Sequence, residues 1–333
     1  VLDVFGVTNF DIGQAQGTYG LIAMACYFLG GPLADRFEAK YLLLTSLLAT
    51  AAGGLYFAQV PGFQGLQLLY AFWGCSTILL FWSALIKATR EWGGLSQQGR
   101  AFGLQEAGRG AFAAILVSVA LWILGLFLPA GLDELTREQQ QAALQAIIYL
   151  YTGATLFAAL LVFLYIPTHG AGTQVSSVAG SVYQRWRSVM STPVIWPQLV
   201  IVVSAYVAYK GIDNYVLYAV QGYQLTEVEG SRVAAISGWL RPISAIVAGF
   251  LADRVRASRV VLGAFLLLLA GYSLFATLQP APGLYWLLLS NVAVTSIAVY
   301  ALHAIYFALV AESNIPLGVT GTAAVSYTHL TLP

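Results

Sequence analysis

Polar positions along this chain are sparse and clustered, and between the clusters hydrophobic residues fill almost every position. A bilayer-crossing helix needs about 20 mostly apolar residues. Nine stretches meet that need: 15–34, 41–60, 66–87, 104–128, 145–167, 195–220, 232–250, 260–278 and 285–307. The breaks between them are short and carry turn-forming residues, among them Pro61-Gly62, Pro129-Ala130-Gly131 and Pro280-Ala281-Pro282-Gly283. A tenth stretch opens near Gly318. The pattern predicts an all-α polytopic membrane protein with about nine complete transmembrane helices.

Composition removes the alternative suggested by length. A chain of 333 residues could hold two or three soluble domains, but 59% of it is hydrophobic and 9% charged, with a mean hydropathy of +0.76. Soluble domains carry about 25% charged residues. The same values exclude a disordered chain and a disulfide scaffold. A net charge of +1 excludes a basic nucleic-acid binder. Cys26 and Cys75 lie in apolar stretches and read as small hydrophobes. His169, His303 and His329 are far apart and form no metal-ligand spacing. No cofactor, metal or nucleic acid is expected, and the lipid bilayer is the expected surrounding.

Charge sets the direction. Of the 15 Lys and Arg residues, ten fall on alternate loops: Arg36, Lys40, Lys87, Arg90, Arg100, Arg185, Arg187, Arg254, Arg256 and Arg259. The other loops hold only Arg137 and Arg232, and Arg109, Lys210 and Arg241 lie inside stretches. The positive-inside rule makes the ten-charge side cytoplasmic, so 15–34 runs inward and 1–14 lies outside, in the cell (inner) membrane. The opening Val1-Leu-Asp-Val-Phe reads as the middle of a longer protein. Segment 168–194 is the longest loop. Its Tyr183-Gln-Arg-Trp-Arg187 suggests a short interfacial helix within a cytoplasmic linker.

One motif occurs twice. Gly31-Pro-Leu-Ala-Asp-Arg36 and Gly249-Phe-Leu-Ala-Asp-Arg254 agree at five of six positions, each at the cytoplasmic end of an inward-running stretch. Asp35 and Asp253 are 218 residues apart (253 − 35), a period that suits a duplicated bundle of about six helices. This segment resembles motif A of the major facilitator superfamily. Lys40 and Arg259 extend the two copies, while Glu38 and Ala39 depart from the usual pattern in the first. The resemblance implies a 6+6 helix bundle with pseudo-two-fold symmetry. The nine stretches become helices 2 to 10 of twelve, with helix 1, most of helix 11 and helix 12 lacking. It divides the chain into an N-terminal bundle (1–167), the linker (168–194) and a C-terminal bundle (195–325). The last residues, 326–333, look like a non-native tail. Tyr209-Lys-Gly-Ile-Asp-Asn-Tyr215 and Trp239-Leu-Arg-Pro242 look more narrowly like YihN-type permeases.

The resemblance also implies a gate: Gly31, Asp35 and Arg36 working against helix 11 near Thr320, and Gly249, Asp253 and Arg254 against helix 5 near Arg100–Glu106. A carboxylate can form and release a contact with a helix N-terminus and nearby arginine. The alternative is ordinary juxtamembrane charge.

Ionisable residues inside membrane helices are costly and usually face a cavity or a partner. Lys210 lies roughly 22 Å into its stretch, with Asp213 three residues on. Tyr206 and Asn214 share that stripe. Arg241 sits at the centre of 232–250 and needs an anion, either Asp213 or substrate. Glu106 and Arg109 are three apart, and Arg109 is shallow enough to snorkel. His303 offers a proton-coupling group, or a packing residue among Tyr300 and Tyr306. Glu312 reads as solvated at the cytoplasmic exit.

No loop holds the paired carboxylates and histidine that a membrane enzyme would need, so no enzyme is expected. No Walker A segment is present. The expected activity is secondary active transport by alternating access, driven by a proton or solute gradient. The alternatives are a transporter-like sensor and, behind it, a polytopic enzyme. The cationic surplus of Arg109, Lys210 and Arg241 favours a small organic anion: an organic acid, sugar acid or organophosphate. Protons are a further expected partner, and a monomer is the expected state.

Overall fold

The computed structural model describes residues 2–94, 96–127, 136–168, 187, 191, 193–225 and 227–312. Among the described residues there is no strand. The elements are α1 (Leu2–Phe5), α2 (Asn9–Arg36), α3 (Ala39–Phe57), α4 (Phe63–Gly93), α5 (Gln98–Phe127), α6 (Arg137–Tyr165), α7 (Ile195–Tyr223), α8 (Glu227–Val255), α9 (Ala257–Thr277), α10 (Tyr285–Ala308) and α11 (Leu309–Glu312). The nine apolar stretches fall on α2 to α10, with ends differing by a few residues. Six of these helices, α2, α4, α6, α7, α9 and α10, are long and apolar enough to cross a membrane. The linker helix expected at 183–187, the start of helix 11 and the tail 326–333 lie outside the described residues, Arg187 apart.

Large apolar side chains cover the outside. Tyr165, Trp286, Phe10 and Leu68 are among many that stand exposed. Water would penalise such a surface, whereas hydrocarbon does not. Helix starts are fixed by local chemistry. Thr8 accepts from the Asp11 amide while Asp11 accepts from the Thr8 amide, and Thr136 and Gln139 do the same ahead of α6. Each reciprocal pair satisfies two amides that have no partner within the helix.

The described residues separate into two compact units. The first holds 1–88 and 115–192, with 316–333 outside the described residues. In it α3 lies against α4 and α6. Leu42 and Leu43 of α3 and Ala84 of α4 form a buried cluster with Val162 packed on it. The middle of α4, Cys75–Trp82, is π-helical. Its wider turn leaves carbonyls to satisfy, and hydroxyls supply the donors: Ser46 donates to the Ser76 carbonyl at 2.7 Å and Thr77 to the Trp73 carbonyl at 2.6 Å. Lys87 donates to the Ala34 and Phe37 carbonyls at 2.8 and 3.0 Å. A cation thus closes the C-terminal end of α2, where the first Asp-Arg pair sits.

The second unit holds 89–114 and 193–315. Its centre is α10, of whose apolar stretch 72% is buried, against 22% for α9. Three buried polar side chains of α10 are paired. Thr295 accepts from the Tyr215 hydroxyl at 2.7 Å, Asn291 donates to the Gly271 carbonyl at 2.9 Å, and Ser296 meets Ser237 at 2.8 Å. In hydrocarbon each pairing avoids a penalty of a few kcal/mol. Helix α7 is interrupted by a 3₁₀ turn at Ile212–Asn214. Glu312 corrects one expectation. Its carboxylate accepts the Ala257 and Ser258 amides at 2.5 and 3.3 Å, so it caps α9 rather than merely facing solvent. Arg256, just before that helix, has φ 108°, a strained value for a residue with a Cβ.

Close packing in the first unit generates a stability test. A Cβ on Gly54 would collide with the Thr152 hydroxyl, while a Cβ on Gly153 meets nothing within 4 Å. Gly54→Val is expected to destabilise by about 1–3 kcal/mol through overpacking. Gly153→Val should change thermal unfolding in detergent little. Equal effects of the two substitutions would contradict this packing.

Candidate functional site

Helices α5 and α8 approach until backbone touches backbone. A Cβ on Gly99 would fall 2.5 Å from the Gly249 carbonyl, and one on Gly103 would fall 2.7 Å from the Ala245 carbonyl. A Cβ on Gly249 would meet the Gly99 carbonyl and the Gly103 Cα. Only glycine permits this spacing. The seam has a charged contact at its end and another along it.

At the end lies Asp253 of the second repeat copy. It accepts from the Gly99 amide at 2.7 Å and from the Arg100 amide at 3.0 Å, and Arg100 Nε stands 3.6 Å away. The first turn of α5 has amides without partners inside the helix and a positive dipole end, and the carboxylate meets both needs. Phe250, one turn back, lies under the Arg100 guanidinium at 4.7 Å. Gly249 is buried in the seam, whereas Arg254 is exposed.

Farther along lies Glu106, only 2% exposed. Arg241 Nε and Nη2 donate to its Oε1 at 2.9 and 2.5 Å, and Arg109 Nη1 donates to Oε2 at 2.9 Å. His303 Nδ1 stands 3.2 Å from Oε1. Tyr209 stacks on the His303 ring, 4.6 Å between centroids. Tyr209 and Tyr300 also lie under the Arg241 guanidinium at 5.6 and 5.8 Å. Gly110 leaves room for the Arg241 stem, whose Cδ would be 3.1 Å from a Cβ there. Four helices thus converge: α5, α7, α8 and α10.

Of the two partners expected for Arg241, Asp213 and substrate, the first is not the one found. The anion of Arg241 is Glu106, not Asp213. Arg109 does not snorkel away alone, because the same carboxylate holds it. Lys210 and Asp213 keep company at 3.8 Å, with side chains 48% and 72% exposed. They stand at the 3₁₀ turn of α7, Asn214 exposed beside them. A lysine and an aspartate facing hydrocarbon at this depth would be very costly, so a water-filled space is the surrounding such a pair requires. Tyr206 is within electrostatic reach of both, and its ring lies 6.2 Å from that of Tyr209.

The first repeat copy has its own setting. Gly31 and Asp35 are buried at the end of α2 and Arg36 is exposed. The helix 11 segment near Thr320 lies outside the described residues. The sequence undervalues Glu106, which gathers three side chains, and gives no sign of Tyr209 and Tyr300 as contacts of Arg241. The signal was present in a carboxylate inside an apolar stretch one turn before an arginine. No metal-binding group of histidine, cysteine and carboxylates occurs among the described residues.

Comparisons place this arrangement among known proteins. The inner membrane protein YihN of Escherichia coli (strain K12) is 24% identical over 327 residues, covering 96% of this chain and 75% of YihN. The structure of FucP in its outward conformation superposes with a TM-score of 0.79 at 16% identity, covering 99% of this chain and 81% of FucP. The human organic anion transporter MFSD10 does so with a TM-score of 0.63 at 16% identity, covering 96% and 74%. Both structural likenesses show the fold. The family model for the Major Facilitator Superfamily matches residues 1–330. The chain is therefore a multi-pass membrane protein of the major facilitator superfamily, a transporter and not an enzyme.

Proposed function

We propose that this protein is a secondary active transporter of a small anionic organic solute, an organic acid, sugar acid or organophosphate, working by alternating access in the inner membrane. The observation that carries the anion is the charge balance at Glu106. Two arginines share one carboxylate, which leaves one positive charge for the solute to meet. Arg241 suits the task because its planar fork matches carboxylate and phosphate. Lys210, Asp213, Asn214 and Tyr206 line the exposed approach on α7, and Arg109 and His303 complete the inner group.

The proposed architecture is the 6+6 bundle with α2 to α10 as nine spans, divided at 1–167 and 195–325 around the cytoplasmic linker 168–194. On that division α5 belongs to the first half, and α8 and α10 to the second. The Asp253 contact and the Glu106–Arg241 pair then tie the halves together on the cytoplasmic side, as a closed gate. Asp35 and Arg36 with Gly31 are the matching gate against helix 11. The fold likeness to FucP, described as a fucose:proton symporter of E. coli, supports a proton gradient as the drive. MFSD10, a human organic anion transporter of the same fold, supports anions as cargo.

The direct test is uptake into proteoliposomes of labelled L-lactate, D-gluconate and glycerol 3-phosphate, one probe for each anion class. Saturable uptake of at least one is expected. Uptake of none, with neutral sugars carried instead, would remove the anionic substrate. Arg241→Lys is expected to impair that uptake although the charge is kept, because lysine lacks the fork.

Two further substitutions separate folding from transport. Glu106→Gln alone leaves the largely buried Arg241 guanidinium without its anion, which costs roughly 3–5 kcal/mol and should lower expression sharply. Adding Arg241→Gln should restore expression but not uptake. Normal uptake by the double variant would make the cluster a structural ion pair. Asp253→Asn removes roughly 1 kcal/mol of charge–dipole attraction. It should slow turnover severalfold with a smaller effect on solute binding, read as exchange rate against equilibrium binding.

A further inference from the structure

The chain has two cysteines, 49 positions apart (75 − 26), and the first unit brings them together. Cys26 is buried in the middle of α2. Cys75 opens the π-helical stretch of α4 and is partly exposed. Neither is in a disulfide, and the Cys75 side chain lies within hydrogen-bonding and electrostatic reach of the Cys26 thiol. No group of three metal-ligating side chains occurs among the described residues, so a zinc-type cage is not what the pair offers. The chemistry open to two adjoining thiols is joining to a disulfide.

The two helices are in close contact on both sides of the pair. Toward the start of α2, a Cβ on Gly74 would fall 2.8 Å from the Tyr19 carbonyl and 3.4 Å from the Ile22 side chain. Toward its end, a Cβ on Gly30 would fall 3.1 Å from the Leu79 carbonyl and 3.2 Å from the Ile78 carbonyl. Cys26 stands about one turn from Ile22 and from Gly30, and Cys75 adjoins Gly74. The Tyr19 hydroxyl meets the Thr77 hydroxyl at 3.1 Å across the same seam. A disulfide needs α-carbons within about 7 Å, and glycine contacts that bracket the cysteines bring the backbones close enough for it.

We propose that Cys26 and Cys75 are an oxidisable thiol pair, converted by an organic hydroperoxide to a disulfide that staples α2 to α4. The oxidant is of that class because both cysteines stand within helices long and apolar enough to cross a membrane, where a reagent that dissolves in hydrocarbon arrives most readily. The hydroperoxide O–O bond breaks at the sulfur of Cys75, the more exposed of the two. Cys75 becomes a sulfenic acid, and the hydroperoxide leaves as its alcohol. The Cys26 sulfur then attacks the Cys75 sulfur, the S–S bond forms, and the S–O bond breaks with loss of water. Two thiols have given up two electrons and two protons, and the hydroperoxide has become an alcohol and water. The staple adds a covalent tie in the middle of α2 to the one that Lys87 makes at its end.

The unsubstituted protein carries the first reading. In the full chain purified in detergent, cumene hydroperoxide should remove both thiols, counted after denaturation, and dithiothreitol should return both. Non-reducing electrophoresis should show a monomer, and mass spectrometry a cross-link between the Cys26 and Cys75 peptides. Thermal unfolding should rise by about 5 °C, the order expected when a cross-link closes a loop of this size, and fall back on reduction. Thiols that survive the hydroperoxide, a loss that dithiothreitol cannot reverse, or a disulfide-linked dimer in place of the internal cross-link would each overturn the staple.

Two single substitutions test the order of attack. In Cys26→Ser the Cys75 thiol should still be consumed, giving a sulfenic acid that dimedone traps, with no rise in unfolding temperature. In Cys75→Ser the Cys26 thiol should be lost about tenfold more slowly than in the unsubstituted protein, because the buried sulfur is the less accessible one. Equal rates in the two variants would overturn the assignment of Cys75 as the sulfur attacked first.

Discussion

A carboxylate cannot stay ionised in a low-dielectric interior without cations against it, and an arginine cannot discharge to escape the same penalty. Glu106 and its two arginines resolve both constraints at one point. The rest of the second unit is arranged to allow it. Glycines along α5 and α8 bring the backbones close enough for Arg241 to reach across. Tyr209 and Tyr300 cover the guanidinium with aromatic faces, and α10 brings His303 to the same oxygen. Remove the carboxylate and Arg241 is left against Tyr209 and Tyr300, neither of which carries a charge.

The seam between α5 and α8 carries this group in its length and Asp253 at its end. These are different kinds of contact. Asp253 meets backbone amides, which are always present and always oriented, so its hold depends mainly on distance between helices. Glu106 meets side chains, which can exchange partners while the helices stay in place. A seam with one contact of each kind responds to helix separation at one position and to local chemistry at the other.

Six of the helices were legible because each carries an apolar run long enough to cross a membrane. The repeat was legible because Gly249 and Asp253 recur at the spacing of Gly31 and Asp35. Partners were harder to read. Sequence spacing predicts contacts within a helix, and it paired Lys210 with Asp213 and Glu106 with Arg109. It does not reveal which helix faces which. For Arg241 it offers the carboxylate on the next helix back or the substrate, whereas the anion comes from 135 positions earlier. Glu312 was misjudged for the same reason, since its amide partners lie 54 and 55 positions away. Hydrophobicity also hid the widened turn in α4, because a π-helical segment needs no unusual residue types.

That widened turn has a consequence for the phase of α4. The residues before Cys75 and after Trp82 keep their faces only because the intervening turns hold extra backbone. Each turn there holds more backbone than an ordinary α-turn, so deleting one residue would let the helix tighten to ordinary pitch with the residues beyond it close to their present faces. Lys87 would keep the two carbonyls it closes, and the end of α2 its cation. The middle of α4 can thus absorb a change of length that would turn an ordinary α-helix by about 100° per residue.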